Sequence, residues 1–472
     1  MSGRPLSLPR PRLLSAEQLG QIHEAAVRIL TGNGVRVHDE GALAACARAG
    51  LRVQEGRVFP QAREIEAFLS ETRPAARLRP VEEEPPASDI LLGVGQYATT
   101  VHDLDTDALV PMTAARLTEA AKFVDAMASR NLIAKAPGVP VDVAPELQPV
   151  LQYRISAEHC RHGRTAPEVR SPQAMPYVMD MAEALGEPVK GQPIYVVTPL
   201  TMGSDSFACA VAGRDRLEAV WVSDMLSVGG TAPIRIAEAL ALAVAEVVGA
   251  GIVARAVTGL RVEWSIRACP LDLRTMVMSL GSPEELLFQW ASEEVNAWYR
   301  GADPGPPGGA LHTQAKLPGP QAAAEHMSQL VVGALFGARA FGGAGRLSLD
   351  EVFSAEQVVI DCELRDHVQR LLAGVDAACD PEACAAEVAA GLAGGFPGLE
   401  STARRYRDSY WLPSLFERRA LAGWLNAGSP DLRARAKAEV RERLARHDYE
   451  LAPELRRELT RIYAAAEAAL AG

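Results

Sequence analysis

The sequence has few aromatic side chains and no excess of positive charge, and both features limit what the protein can do. Phe, Trp and Tyr together make up 5% of the 472 residues, so a core must be built mainly from Ala, Val, Leu and Ile. The formal net charge is −11. A nucleic-acid-binding surface needs a basic face to neutralise phosphates, so we expect no nucleic acid among the partners.

Cysteine is sparse, and its spacing excludes a zinc knuckle or a redox motif with two intervening residues. The seven cysteines are Cys46, Cys160, Cys209, Cys269, Cys362, Cys379 and Cys384. An odd number at irregular intervals favours reduced thiols and therefore a cytoplasmic protein.

Targeting and membrane-spanning segments are not evident either. Residues 1–12 carry basic residues and prolines without the apolar stretch of a signal peptide. The longest apolar run, residues 237–257, is interrupted by Glu238, Glu246 and Arg255. We therefore predict a buried helix there and no membrane partner.

Familiar catalytic motifs are missing as well. The glycine-rich stretches at 229–230, 305–309 and 342–345 have neither dinucleotide-binding nor phosphate-loop spacing. His159 and His162 stand beside arginines, which disfavour a divalent cation. The sequence has no serine nucleophile elbow, and we expect no metal site.

The chain has a mass of about 50 kDa, which is enough for two or three domains or for one large barrel with additions. Ser15 and Gln18 have capping-box spacing at the start of an amphipathic helix. The proline-containing segment 80–86 is the best candidate boundary. We predict a helical N-terminal cap over 1–85, an α/β barrel with a preceding β-rich passage over 86–375, and a helical C-terminal extension over 376–472.

Short apolar segments alternate with longer amphipathic ones after the β-rich passage near residues 90–112. The candidate strands are 132–136, 166–169, 194–197, 218–226, 253–262, 275–279, 311–312 and 338–341. This alternation predicts a (β/α)8 TIM barrel of parallel strands between about residues 130 and 345.

Polar and aromatic residues at the ends of these strands are the candidate site, because the loops after barrel strands build the active site in this architecture. The candidates are Tyr97, His102, Glu263, Trp264, His312, Gln314, Lys316 and Phe341. Several aromatic faces with one carboxylate are the composition that binds a quaternary ammonium by cation–π attraction. The alternative for each residue is ordinary core or rim packing. For Trp221, which lies inside a predicted strand, ordinary packing is the favoured interpretation.

Short motifs in a fixed order also resemble one known family. They are residues 14–38, 230–239 and 245–248, the segment 316–322 with Glu325, Ser348 to Asp350 with Asp361, and residues 404–407 and 411–415 with Arg418 and Trp424. This series is similar to the trimethylamine methyltransferase family from about residue 14 to about residue 425.

The resemblance implies a barrel enzyme that moves a methyl group from an amine to the cobalt of cobalamin carried by a separate corrinoid-binding protein. Founding members use pyrrolysine, whereas this chain has only standard residues, so it resembles the non-pyrrolysine branch of glycine betaine methyltransferases, which act on quaternary amines. The resemblance also implies a homo-oligomer. With no cobalamin-binding histidine loop of its own, the chain would receive its corrinoid partner over the C-terminal rim of the barrel.

Within that pocket we predict that Trp264 and Tyr97 form aromatic walls and that Glu263 neutralises part of the ammonium charge. His312, Gln314 and Lys316 would orient the rest of the substrate, with a carboxylate as one candidate group.

The chain departs from the family pattern at Gly319, at Ser401 and Thr402, and over residues 262–269. These changes concern substrate identity more than fold. Two alternatives remain open: a methylamine-binding or scaffold homologue without methyl transfer, and a specialised biosynthetic methyltransferase.

Overall fold

The computed structural model describes residues 8–72 and 89–470. The predicted boundary at 80–86 lies outside the described residues. The N-terminal unit consists of α1 (Ala16–Asn33), β1 (Val35–Val37), α2 (Glu40–Arg48), β2 (Arg52–Gln54), β3 (Arg57–Phe59) and α3 (Ala62–Thr72). The predicted capping box is confirmed, because Ser15 accepts from the Gln18 N–H while the Gln18 side chain accepts from the Ser15 N–H.

The central part alternates strands and helices, as predicted. Its first half comprises β4 (Leu91–Val94), β5 (Thr100–His102), β6 (Leu109–Pro111), α4 (Ala114–Ala126), β7 (Leu132–Ile133), α5 (Gln148–His159), α6 (Met175–Ala184), β8 (Gly191–Tyr195), β9 (Thr201–Met202) and α7 (Asp205–Gly213). Its second half comprises β10 (Ala219–Ser223), β11 (Leu226–Val228), α8 (Ile236–Thr258), β12 (Arg261–Ser265), β13 (Ala268–Asp272), β14 (Val277–Met278), α9 (Pro283–Arg300), α10 (Pro320–Leu335), β15 (Ala340–Ala344), β16 (Arg346–Leu347), β17 (Val352–Phe353) and α11 (Ala355–Leu372).

Two three-stranded parallel sheets form the centre of this α/β unit. One has the order β15-β4-β7, and the other has the order β12-β10-β8. Between these sheets, the Gln192 side chain donates to the Val169 carbonyl at 3.0 Å, and a parallel bridge joins Ala310 to Gly342. The α/β class is therefore observed, while the strand pairings among the described residues do not close a ring.

Five parts of the strand prediction need correction. β4 pairs in parallel with both β7 and β15, so the central sheet begins in the passage that we placed before the barrel. Residues up to Thr258 in the predicted strand 253–262 belong to α8, since a short apolar run can be helix as well as strand. β14, within the predicted strand 275–279, pairs antiparallel with β13. Residues 166–169 and residues 311–312 form no strand.

The long helix α8 is the core of the first half of the molecule. By length and composition alone it could cross a membrane, but 78% of its most apolar stretch is buried inside the protein. Its glycines allow close approach of the N-terminal unit. A Cβ on Gly249 would lie 2.7 Å from the Leu30 side chain, and one on Gly251 would lie 2.5 Å from the Phe68 ring. The prediction of a buried helix is thus confirmed.

Five helices follow the central unit, namely α12 (Pro381–Gly394), α13 (Glu400–Ser409), α14 (Leu421–Asn426), α15 (Leu432–Ala445) and α16 (Pro453–Leu470). α15 and α16 pack on the central unit through buried residues such as Val440 and Ile462. By contrast, Gly391 is the one buried residue of α12 to α14. The C-terminal part is therefore helical, but only its last two helices are firmly packed.

We predict that Gly251→Ala lowers the free energy of unfolding by about 1–3 kcal/mol, because the added methyl group would collide with the fully buried Phe68 ring. The matched control is Gly20→Ala in α1, where a Cβ meets nothing within 4 Å. That change should stabilise by about 0.5–1 kcal/mol through helix propensity. Denaturant unfolding measures both, and equal stability of the two variants would contradict the packing of α8.

Candidate active site

A cleft of about 510 Å³ opens at the carboxyl ends of the parallel strands. Its lining includes Tyr97 after β4, Val139 after β7, Glu168 and Arg170 before α6, and Asp205 at the start of α7. Ligand sites of α/β proteins lie at this edge of the sheet. The cleft is therefore the candidate active site.

Two tyrosines and one carboxylate form the most distinctive group at the cleft, which we call the tyrosine–glutamate box (Tyr97, Tyr195 and Glu168). Tyr97 and Glu168 line the cleft, and Tyr195 contacts Glu168. Both phenols donate to Oε2 of Glu168, with a distance of 3.2 Å from the Tyr195 oxygen. The Glu168 side chain is only 5% exposed. Burial and the adjacent carboxylate raise the pKa of Tyr97 to about 12 and also raise the pKa of Tyr195. Both phenols thus stay protonated and keep their aromatic faces available.

A cation already lies in this box. The guanidinium of Arg170 stands 5.3 Å from the centroid of the Tyr97 ring, and its Nε donates to Oε1 of Glu168 at 3.3 Å. The Arg170 side chain is 64% exposed, so it can leave toward solvent. The arrangement is a cation–π contact with a counter-charge, which is the recognition chemistry of an alkylated ammonium.

A second cation, Arg346, lies near Tyr97. The two residues line a small cavity with Gly95 and Asp350. A Cβ on Gly95 would be 3.2 Å from the Arg346 guanidinium, and one on Gly343 would be 3.1 Å from its Nε. Within residues 8–72 and 89–470, the Arg346 side chain has no hydrogen-bonding partner for its buried Nε. A buried donor without a partner is costly, and a ligand anion that accepts from it would remove that cost.

Nearby, His312 forms a buried group with Glu285 and Arg267. His312 Nδ1 lies 2.9 Å from Glu285 Oε1, which also accepts from Arg267 at 3.0 Å. Burial lowers the pKa of His312 to about 4, so the imidazole is neutral near pH 7. Burial alone would raise the pKa of Glu285, but His312, Arg267 and the Gly281 N–H lower it to about 2.

The structure places the candidates Glu263 and Trp264 on opposite faces of β12. Glu263 shares the face that carries Tyr195, is exposed and forms an ion pair with Arg261. The Trp264 ring is on the other face, 5.2 Å from the Tyr299 ring, and its Nε1 donates to Thr72 at 3.1 Å. Trp264 is therefore not brought together with Tyr97, because strand alternation turns it toward the helices.

His102 and Phe341 also lie away from the cleft lining. Phe341 on β15 is 1% exposed and packs in the core with Leu92, its partner residue on β4. His102 on β5 is buried between Ser354 at 3.1 Å and Asp107 at 3.0 Å.

His102 belongs to a group whose ligand atoms lie close enough to bind a metal. Atoms of His102, Asp107 and Glu356 all lie within 4.8 Å of one another. Arg433 and Lys437 from α15 already contact Asp107 and Glu356. This group therefore ties α15 to the central unit, and the two cations offset the charge of its carboxylates.

The remaining candidates, Gln314 and Lys316, follow His312 on one segment. The Gln314 side chain donates to the Met278 carbonyl, and Lys316 Nζ lies 2.8 Å from the Ser348 hydroxyl. The structure thus brings His312, Gln314 and Lys316 to one region near β16, and their role in substrate binding stays a prediction.

Sequence reasoning missed Glu168, Tyr195, Arg170 and Arg346. A signal for two of them was present, because Glu168 and Tyr195 lie inside the candidate strands 166–169 and 194–197. The search for polar and aromatic residues at strand ends, if applied to these strands, would have found both. Arg346 had no such signal, because the feature that marks it is a buried Nε without a hydrogen-bonding partner among the described residues, which only the folded structure shows.

The pKa shift of His312 predicts how stability depends on pH. Its folded pKa, about 4, is lower than the ordinary 6.5, so the unfolded chain binds a proton between those values and the folded protein does not. Stability from this residue is complete above pH 6.5 and decreases as pH falls toward 4, by up to about 3 kcal/mol. We expect His312→Gln to remove this part of the acid destabilisation, whereas His38→Gln at an exposed position should not. Unfolding measured from pH 7 to 4 tests this, and parallel curves for parent and His312→Gln would contradict it.

Comparison with known proteins connects this geometry to a family. A sequence profile described as trimethylamine methyltransferase matches residues 5–470. A trimethylamine methyltransferase of Methanosarcina mazei is 29% identical over 274 residues, which are 57% of this chain and 54% of that protein. The chain therefore spans about half the length of this relative.

Two further proteins match over most of their length. A glycine betaine methyltransferase of Desulfitobacterium hafniense is 24% identical over 456 residues, covering 92% of this chain and 91% of that protein. The crystal structure of the Methanosarcina barkeri monomethylamine methyltransferase covers 92% of this chain and 88% of its own, with 12% identity and a TM-score of 0.46.

Proposed function

The chain belongs to the trimethylamine methyltransferase family, and from this premise we propose that it transfers a methyl group from a quaternary amine to the cobalt of a corrinoid on a separate protein. The tyrosine–glutamate box is the observation that carries the proposal. It offers aromatic faces and a carboxylate, and both of its phenols already donate to that carboxylate.

Chemistry favours a quaternary amine over a tertiary one. A quaternary nitrogen already carries its positive charge and leaves as a neutral amine, so no side chain has to activate it. The protein then contributes position, electric field and exclusion of water. The pKa of Tyr97, raised to about 12, agrees with this division of labour, because that phenol stays protonated and holds the carboxylate of Glu168 in place.

The guanidinium of Arg170 marks where the ammonium would bind. It stacks on Tyr97 and contacts Glu168, which are the interactions that a methylated ammonium would make. A substrate that replaces Arg170 leaves the charge of the box balanced, and Arg170 is exposed enough to move aside. This replacement avoids the cost of burying a second cation next to the first.

The buried Nε of Arg346, which has no hydrogen-bonding partner among the described residues, supports a substrate that also has a negative group. Tyr97 lines both the main cleft and the small cavity that contains Arg346. A zwitterion could therefore place its ammonium in the main cleft and direct a carboxylate toward Arg346. Lys316, which we proposed for this role from the sequence, is already bound to Ser348.

We extend the proposal to the fold and the partners. The two parallel sheets would belong to one eight-stranded barrel, in which residues 166–169 and 310–313 take the two positions between them, as the Gln192–Val169 hydrogen bond and the Ala310–Gly342 bridge indicate. The corrinoid-binding protein would then dock over the rim that carries the cleft. A cytoplasmic location and a homo-oligomer complete this proposal.

The first test is methylation of a reduced corrinoid, supplied as the free cofactor and on a corrinoid-binding protein, with a panel of N-methylated amines. We expect turnover with quaternary amines and much slower turnover with tertiary amines. Visible absorption of the methylated corrinoid is the measurement. Tight binding of an amine without any methylation would favour the alternative of a binding or scaffold homologue, and a different methyl donor or acceptor would favour the biosynthetic one.

The second test compares Tyr97→Leu with Trp264→Ala, because only the first residue lines the cleft. Cation–π contacts contribute about 0.5–2 kcal/mol, so Tyr97→Leu should weaken binding of the amine by roughly 2- to 30-fold. Trp264→Ala should lower thermal stability and leave affinity unchanged, since Trp264 packs on Tyr299. Calorimetric titration of each folded variant decides whether Tyr97 or Trp264 contacts the ammonium. A loss of affinity in Trp264→Ala alone would assign that contact to Trp264.

The third test separates Arg346 from Lys316 as the group that recognises a carboxylate. Charge-assisted hydrogen bonds contribute about 1.5–3 kcal/mol, so Arg346→Gln should raise the dissociation constant of a carboxylated quaternary amine by roughly 10- to 150-fold. An analogue without the carboxylate should lose little affinity. Lys316→Ala is the matched control, and a larger selective effect in that variant would show that the sequence-based choice was the correct one.

A further inference from the structure

Two of the seven cysteines differ from the others in their exposure. Cys46, Cys160, Cys209, Cys269 and Cys362 are buried, whereas Cys379 and Cys384 are exposed. Both exposed thiols lie at the start of α12, whose surroundings are open to solvent. Reagents in solution can therefore reach these two thiols in the folded protein.

The cap of α12 places the two exposed thiols next to each other. Asp380 is the N-cap, and its side chain accepts from the Ala383 N–H at 2.8 Å. Pro381 occupies the first helical position and stops the helix from extending backward. Cys379 is then the residue before the cap and Cys384 the fourth of the helix, and side chains at these two positions pack together at helix N-termini.

The helix cap brings the two thiols together, and the neighbouring Cys384 raises the pKa of Cys379. The backbone that joins them is also fixed, because the Cys384 N–H donates to the Asp380 carbonyl at 2.9 Å. The ring that a disulfide would close is thus largely ordered before the bond forms, which lowers the entropic cost of closure.

We propose that Cys379 and Cys384 are a reversible dithiol–disulfide pair, oxidised by a small-molecule disulfide of the glutathione type. One thiolate attacks a sulfur of the small disulfide, whose S–S bond breaks, and a mixed disulfide forms as one small thiolate leaves. The second cysteine thiolate then attacks the protein sulfur of the mixed disulfide, and the other small thiolate leaves. The protein gives up two electrons and two protons, and the small disulfide is reduced to two thiols.

This pair is separate from the proposed methyl transfer, because neither cysteine lines the cleft. The disulfide would covalently fix the first turn of α12, a helix with a single buried residue. An excess of small thiol reverses the reaction by the same two exchanges. The pair is therefore a modification site that responds to the thiol–disulfide ratio of its surroundings.

The experiment exposes the full-length protein to glutathione disulfide and follows intact mass, then maps peptides without reduction. We expect the parent to lose two hydrogens, to carry no stable glutathione adduct and to yield a peptide pair joined through Cys379 and Cys384. The single variants Cys379→Ser and Cys384→Ser should each retain one glutathione on the remaining exposed thiol. Stable adducts on the parent, a bridge to one of the buried cysteines or no reaction would overturn the proposal.

A displaced thiol provides the matched control. Combining Cys384→Ser with Ala385→Cys moves the sulfur about 100° around the helix, away from the position that packs on the residue before the cap. This variant should accumulate the mixed disulfide and close slowly. If this variant forms its disulfide as fast as the parent, the proximity of the two thiols at the helix cap does not determine the rate of disulfide formation. Circular dichroism before oxidation confirms that each variant is folded. Peptide mapping of the oxidised parent shows, independently of the variants, whether Cys379 and Cys384 are joined.

Discussion

The register of the parallel strands β8, β10 and β12 decides which side chains can take part in chemistry. Tyr195, Ser223 and Ser265 lie side by side on one face, whereas Ile194, Val222 and Trp264 lie on the other. The second face packs on the helices of the N-terminal half, including α8. Because side chains alternate with a period of two, the burial of that face fixes the opposite orientation for Tyr195, and with it the position of Glu168.

Burial of charge is the second constraint, and it explains the details around Arg346. Gly343 and Gly345 have φ values of +90° and +78°, which allow the turn to place the guanidinium against the backbone. Asp361 holds that turn by accepting from the Gly345 N–H at 2.8 Å, and His326 lies 2.7 Å from the same carboxylate. A buried carboxylate and imidazole thus support the loop that presents Arg346, whose buried Nε has no hydrogen-bonding partner among the described residues. Such a costly arrangement is understandable where an anion binds.

The sequence predicted local structure and family well because these depend on short patterns. The capping box at Ser15 and the buried character of α8 follow from spacing and composition within single segments. The site was harder, since it depends on which face of a strand a residue occupies. Trp264 and Glu263 are neighbours in sequence, yet β12 directs their side chains to opposite faces. The five residues of β12 mix polar and aromatic side chains, so their pattern does not predict which face is buried. Arg346 could not be found at all, because lack of a partner is a property of packing.

The contrast between Arg170 and Arg346 suggests how one site can select a zwitterion. Arg170 is exposed and bound to Glu168, so under the proposed function it would compete with the ammonium of a substrate. Arg346 lacks a partner for its buried Nε in the described parts of the chain, so it would accept an anion without displacing another group. A simple methylated cation would have to displace Arg170 without any contribution from Arg346, whereas a zwitterion would regain that free energy at its other end. Specificity is the difference between the binding free energies of two ligands, here a zwitterion and a simple methylated cation. The two arginines would determine this difference, whereas the tyrosines would contribute equally to the affinity for every methylated ammonium.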